Sequence, residues 1–157
     1  MANFYIDGLD RLQVDLATLA AMPDEDILEG MILPAAEILV AAMKEKAATT
    51  MNVITGSLLG SVKILTKGVS KGMAYAQVGP NQGKHPHAST GKRKRNAQGG
   101  GGGHYSGTNA EIAFIHEYGS SRTPAVHWME TAVTEHEDEI LGTMEAGWAA
   151  LVDKYFK

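Results

Sequence analysis

The spacing of apolar residues divides the chain into helical ends and an extended middle. Leu9, Leu12, Leu16 and Leu19 step by three or four, which predicts a first helix with Asp7 as its N-cap. Ahead of it, Phe4-Tyr5-Ile6 reads as a short strand or an ordered lead-in. Pro23 ends that helix, and Asp24 is placed to cap a second one. Its apolar face is Ile27, Leu28, Met31, Ile32, Ala35, Ile38, Leu39 and Ala42, with Pro34 inside, where a kink or restart is expected. The helix should fade at Thr49-Thr50, where β-branched residues replace good helix formers.

Beyond Thr55-Gly56 the period changes. Val62–Thr66 and Met73–Val78 read as two strands, with 67–72 as the hairpin connection. In the C-terminal third the helical period returns. Met129, Val133, His136, Ile140, Met144, Trp148, Leu151 and Tyr155 predict one long helix. Its acidic cluster, Glu135, Glu137, Asp138 and Glu139, lies mostly off that face. Helices flanking a small antiparallel β-sheet define an α+β fold class.

Composition sets the bounds. At 157 residues and 44% apolar content the chain is read as a single domain, 1–157, able to form a core without staples. With no cysteine there is neither a disulfide framework nor a thiolate metal site, which suits a reducing cytosol. The N-terminus lacks a basic region followed by an apolar run, and no stretch reaches the roughly 20 apolar residues a membrane span needs. A soluble product made inside the cell, without a membrane partner, is the expectation.

Charge changes the picture more. The net value of −4 conceals nine basic and no acidic residues between Lys46 and Ala110. The remaining five basic and eighteen acidic residues give −13 elsewhere. Such separation steers association rather than fold. It fits head-to-tail packing of identical subunits, a basic face toward DNA or an acidic partner, or a solvated loop on an acidic body. Half of the eighteen glycines fall between Gly79 and Gly107, so 80–110 reads as a flexible, glycine-rich basic arm.

Lys84, Lys92, Arg93, Lys94 and Arg95 are the arm's candidate contacts with DNA or a partner. Adjacent cations attract phosphate, but no aromatic residue interleaves them and no recognition helix surrounds them. Any DNA contact would therefore be blind to sequence. Other chemistry is weakly signalled. Gly79 to Lys84 is one residue short of a phosphate-loop spacing and is followed by His85 instead of a hydroxyl. His116-Glu117 begins a zinc-site pattern, but Ser120 stands where the second histidine belongs. His85, His87 and His104 share the arm and would hold a metal only weakly. His116 is expected at solvent or a subunit contact, and His136 as a satisfied, half-buried residue. No catalytic, cofactor-binding or metal-binding residue is assigned.

Three short blocks carry a resemblance. Thr55-Gly56-Ser57-Leu58-Leu59-Gly60-Ser61-Val62 is the first. Tyr75-Ala76-Gln77-Val78-Gly79-Pro80 is the second, and Phe114 to Ser120, containing Glu117-Tyr118-Gly119-Ser120, is the third. Their order resembles the tail-completion and head-tail joining (neck) proteins of long-tailed phages, the gene-product-ten-like tail components. The resemblance covers roughly residues 25 to 150. Where that family has Pro-Phe-Leu/Met-Arg-Pro-Ala, this chain has His127-Trp128-Met129-Glu130-Thr131-Ala132, without the prolines and the arginine.

The resemblance implies a non-enzymatic virion protein of a phage or prophage, made in the host bacterial cytoplasm and placed at the neck. It implies a ring of identical subunits, a hexamer, between head-closure or adaptor proteins and the tail terminator or tail tube, with phage DNA in the lumen. A tail terminator, a head-closure protein and a non-specific DNA-binding accessory protein are the alternatives. Thr55, Gly56, Leu58, Ser61, Glu117, Tyr118, Gly119 and Ser120 are the motif and candidate interface residues. Gly56 for a turn, Thr55 as a cap and Leu58 in the core are equally plain structural roles.

Overall fold

The computed structural model describes residues 9–50, 56–70, 73–83 and 108–156. The expected elements at Phe4–Ile6, Asp7, Thr55, positions 71–72 and the arm from Lys84 onward, with Lys92, Arg93, Lys94, Arg95 and three of the histidines, lie outside them. The fold is α+β, with helices around one two-stranded antiparallel sheet and a long helix at the C-terminus. No helix among the described residues is long and apolar enough to cross a membrane.

Helix α1 spans Leu9–Ala20 as expected, but among the described residues it has no extensive packing on any other element. Val14 and Leu16 are exposed and Leu19 is half-buried. After the turn, Pro23 itself occupies the N-cap of α2 (Asp24–Ile27), and Asp24 becomes the first helical residue. The expected cap therefore shifts by one. Asp24, Glu25 and Asp26 then crowd the first turn, where the helix dipole favours negative charge.

The chain next widens into one π turn, Leu28–Ile32, before α3 (Leu33–Thr50). Pro34 explains the restart. It has no N–H for the Gly30 carbonyl and its ring would strike that carbonyl in a regular helix. The π turn opens the backbone just upstream, and the Leu33 N–H reaches back five residues to the Leu28 carbonyl. Thr49 and Thr50, the last described residues of α3, turn their hydroxyls onto the Glu45 and Lys46 carbonyls, and the expected fading of the helix beyond them lies outside the described residues.

Helix α3 is the axis of the molecule. The sheet packs on it, and so do both C-terminal helices. A short helix, α4 (Ser57–Ser61), leads into β1 (Val62–Ser70), which pairs with β2 (Met73–Pro80). The strands run further than the sequence suggests. Lys67 to Ser70, expected in the connection, pair with Ala76 to Met73. Gly68 does not break β1 because the Tyr75 side chain opposite lies over it, its hydroxyl 3.6 Å and its ring 3.8 Å from where a Cβ would stand. A bulge at Leu65 offsets the register.

Helix α5 (Asn109–Tyr118) has no counterpart in the periodicity reading. The C-terminal helical pattern is also broken, into α6 (Trp128–Glu135) and α7 (Glu137–Tyr155). His136 is the breakpoint. Its ring Nδ1 lies 3.1 Å from the Ala132 carbonyl, while its backbone N–H goes to Val133 instead. Competition of this kind loosens a helix. The break also starts α7 on Glu137, Asp138 and Glu139, where a fresh N-terminus accommodates them better than a helix interior.

The core is small and centred on Trp128, which is fully buried. It clusters with Ala42, Met43 and Ala47 of α3, Val62 of β1, Ala113 of α5 and Ala132 of α6. Alanines from three helices leave the room that one indole fills.

Candidate functional site

The three sequence blocks meet in one corner of the molecule. Gly56 adopts φ 67° at the N-cap of α4, a conformation that favours glycine. Its carbonyl accepts the Gly60 N–H at 2.9 Å. Leu58 packs against the core. Ser61 is buried and donates its hydroxyl to the Leu58 carbonyl at 2.7 Å. The second block enters beside the first, because Val62 pairs with Pro80 and the Asn81 N–H reaches the Ser61 carbonyl at 3.0 Å.

The third block joins through Asn109, which is buried. The Ser57 hydroxyl donates to its side-chain oxygen at 3.2 Å, and its backbone N–H donates to the Gly83 carbonyl at 2.9 Å. That last bond brings together Gly83 and Thr108, the two flanks of segment 84–107. The arm expected over 80–110 is thus ordered at both flanks, since Pro80 ends β2 and Asn109 and Ala110 open α5, while its basic residues lie outside the described set.

Helix α5 begins with a capping box. The Glu111 N–H donates to the Thr108 hydroxyl at 3.2 Å, and the Thr108 N–H donates to the Glu111 carboxylate at 2.6 Å. The helix ends at Gly119, with φ 81° and a Cβ position only 2.9 Å from the Ala125 nitrogen. Only glycine fits that turn. Ser120 then holds the bend, accepting on its hydroxyl from the Thr123 N–H at 3.1 Å.

Glu117 is buried. One carboxylate oxygen accepts the Met129 N–H at 2.7 Å and the other accepts the Glu130 N–H at 3.0 Å. These are orphan donors at the start of α6, so Glu117 caps that helix from a distance. It needs to, because His127, at the N-cap with φ 51°, supplies no side-chain cap. The acidic member of the third block therefore faces inward and presents no surface to a neighbour. Its aromatic member does the opposite. Tyr118 packs against Phe114 one turn earlier, ring centroids 4.6 Å apart and planes tilted by 49°, and both are exposed. Phe114 also borders an open depression of about 430 Å³ lined by Gln82, Thr108, Ala110, Glu111 and Ile115.

Glu117, His127 and Glu130 offer ligand-type atoms within 4.8 Å of one another. Both Glu117 oxygens are already engaged, and the site sits at the positive end of a helix, so the arrangement suits an anionic cap better than a cation. His116 is half-buried and its carbonyl accepts the Val126 N–H at 2.7 Å. His136 is half-buried and bonded to Ala132, as expected.

A separate polar cluster ties α2 to the last turn of α7. The Lys154 ammonium lies 2.6 Å from the Asp26 carboxylate, and the Tyr155 hydroxyl donates to the same oxygen. The bond from Lys154, followed by that from Tyr155, holds the Asp26 carboxyl below its usual range. Lys154 and Tyr155 are both pushed up, chiefly by their bonds to Asp26.

Periodicity does not find α5 or the remote cap. The Thr108-x-x-Glu111 spacing signals the helix start, whereas nothing local connects Glu117 to residues twelve and thirteen positions later. Comparison with protein-family models, curated proteins and solved structures finds no match in any of the three.

Proposed function

We propose that this chain is a structural protein of a long-tailed phage or prophage, of the tail-completion type. It forms a homo-oligomeric ring at the head-tail junction and performs no catalysis. The observation that carries the reading is the convergence of the three motif blocks. Segments more than fifty residues apart pack into one corner through Ser57, Ser61, Asn81 and Asn109. Their polar groups are spent on turns, caps and cross-links, as suits a scaffold. What the corner presents outward is apolar, the Phe114–Tyr118 pair, and exposed aromatic residues of this kind favour protein contacts.

On this reading Tyr118, Ser120 and the rim of α5 contact a neighbouring subunit or neck protein. Glu117, Gly119, Gly56, Leu58 and Ser61 hold that surface in shape. The arm rooted between Gly83 and Thr108 carries its lysines and arginines toward an acidic neighbour or the DNA in the lumen.

The test is deletion of the gene from its phage or prophage, with the induced particles imaged by electron microscopy. DNA-filled heads beside unattached or abnormally ended tails are expected. Normal infectious particles would overturn the neck reading. Salt-sensitive DNA binding by the purified chain, abolished by neutralising Lys92 to Arg95, would then favour a DNA-binding accessory role.

A further inference from the structure

The outer face of the sheet and the outer face of α7 are uncovered, and they complement each other. In the hairpin, alternate residues point to opposite sides. Val69, Ala74, Ala76 and Val78 are half-buried on the α3 side. On the other side Leu65, Tyr75 and Met73 form an apolar stripe at 38%, 46% and 68% exposure, with Lys63 beside it. Among the described residues no third strand pairs with either edge, and these three side chains stay open to solvent. A sheet with apolar residues on both sides is normally covered on both.

Helix α7 carries the counterpart. Leu141, Glu145 and Trp148 follow one another at helical spacing on its exposed side, the two apolar residues at 49% and 41% exposure. Carboxylates surround them, while the hairpin carries lysines and no acidic residue. The hairpin and α7 pack on α3 without substantial packing on each other, so one copy does not satisfy both surfaces with itself.

We infer that the outer face of the hairpin in one copy docks on the Leu141–Glu145–Trp148 stripe of α7 in a second copy. The contact joins two different surfaces, so it is head-to-tail and propagates into a ring or a filament instead of stopping at a dimer. Apolar side chains supply the burial, and the opposed charges set orientation and reject like-to-like pairing. The inference rests on the oligomeric part of the function proposed above and assigns the surfaces that build it.

The test uses the purified full-length chain in sedimentation velocity. Wild type self-associates, less so as salt rises. Variant Lys63→Glu/Met73→Glu places acid on the hairpin, and variant Leu141→Lys/Glu145→Lys places base on α7. Each alone opposes like charges across the contact and should associate at least about tenfold more weakly. Mixed, they restore association, because every hairpin now meets an α7 of opposite sign. These positions are exposed, and unchanged far-UV circular dichroism verifies folding. If a double variant misfolds, the single exchanges Lys63→Glu and Glu145→Lys repeat the mixing test.

A wild type that stays monomeric at its highest soluble concentration overturns the inference. So does a variant that associates like wild type, or a mixture that stays monomeric. Variant Val14→Glu/Leu16→Glu should associate normally, and its failure to do so would assign the contact to α1. Assembly through other surfaces removes this contact but leaves the neck reading intact. Normal particles without the gene remove the neck reading and leave the contact measurable.

Discussion

Two glycines in α7 should respond in opposite directions to the same substitution. Gly147 faces the π turn. A Cβ built there lies 3.0 Å from Met31 Cα and 3.2 Å from the Gly30 carbonyl carbon, and overlaps the Gly30 oxygen. All three are backbone atoms that cannot rotate aside, so Gly147→Ala must push α7 away from the turn. Overpacking of this kind costs about 1–3 kcal/mol, and rigid backbone on the far side favours the upper half of that range. Alanine returns about 1 kcal/mol of helix propensity. The net expectation is a loss of about 1–2 kcal/mol, or a Tm lower by about 2–8 °C for a chain of this length.

Gly142 sits in the same helix with nothing within 4 Å of its Cβ position. There Gly142→Ala keeps only the propensity gain, about 0.5–1 kcal/mol of added stability. Urea titration followed by far-UV circular dichroism measures both as shifts in midpoint at constant slope. The pair controls for the chemistry of the substitution. If both midpoints move the same way, the close approach of α7 to the π turn is not what places glycine at 147.

Two further outcomes follow from the polar contacts. Glu117→Gln keeps one acceptor for the start of α6 but turns an amide NH₂ toward the other N–H, and should cost about 1–3 kcal/mol in denaturant unfolding. A midpoint equal to wild type would remove the capping role. At Asp26 the folded carboxyl is depressed, so its stabilising effect is present above the unfolded value and lost as pH falls through the folded one. Lys154 and Tyr155 are raised, so their share is lost only as pH rises through their folded values. Asp26→Asn should therefore lower stability by a constant margin between about pH 5 and 9, and that margin should shrink below about pH 4 and above about pH 10. Added salt should reduce it, and a pH-independent difference would refute the linkage.

What was legible in the sequence follows physical range. The restart at Pro34 and the pairing of two antiparallel strands depend on neighbours within a turn or on the local period, and they read correctly. The break at His136 did not, because the apolar spacing from Met129 to Tyr155 continues straight through it. Only the competition between a histidine ring and its own N–H for position reveals the break. The role of Glu117 depends on Val126 and His127 folding back along the end of α5. Trp128 lies just outside the apolar pattern, which starts at Met129 and gives it no core role. Its place at the centre of the core is set by alanines from α3 and α5 that no spacing rule links to it.

The contact between the π turn and α7 also has a consequence for synthesis. Residues 28–32 leave the ribosome early, yet their partners Gly147 and Leu151 are more than a hundred residues behind. At about 5–20 residues per second, that groove waits roughly 6–25 s for its cover. Until then Leu28, Met31 and Ile32 are open to any apolar surface nearby, including the same segment of another nascent chain. A stop codon before Gly147 would make the wait permanent, so a product ending there should be found with chaperones or in aggregates. Its hairpin and α3, complete long before, would not rescue it.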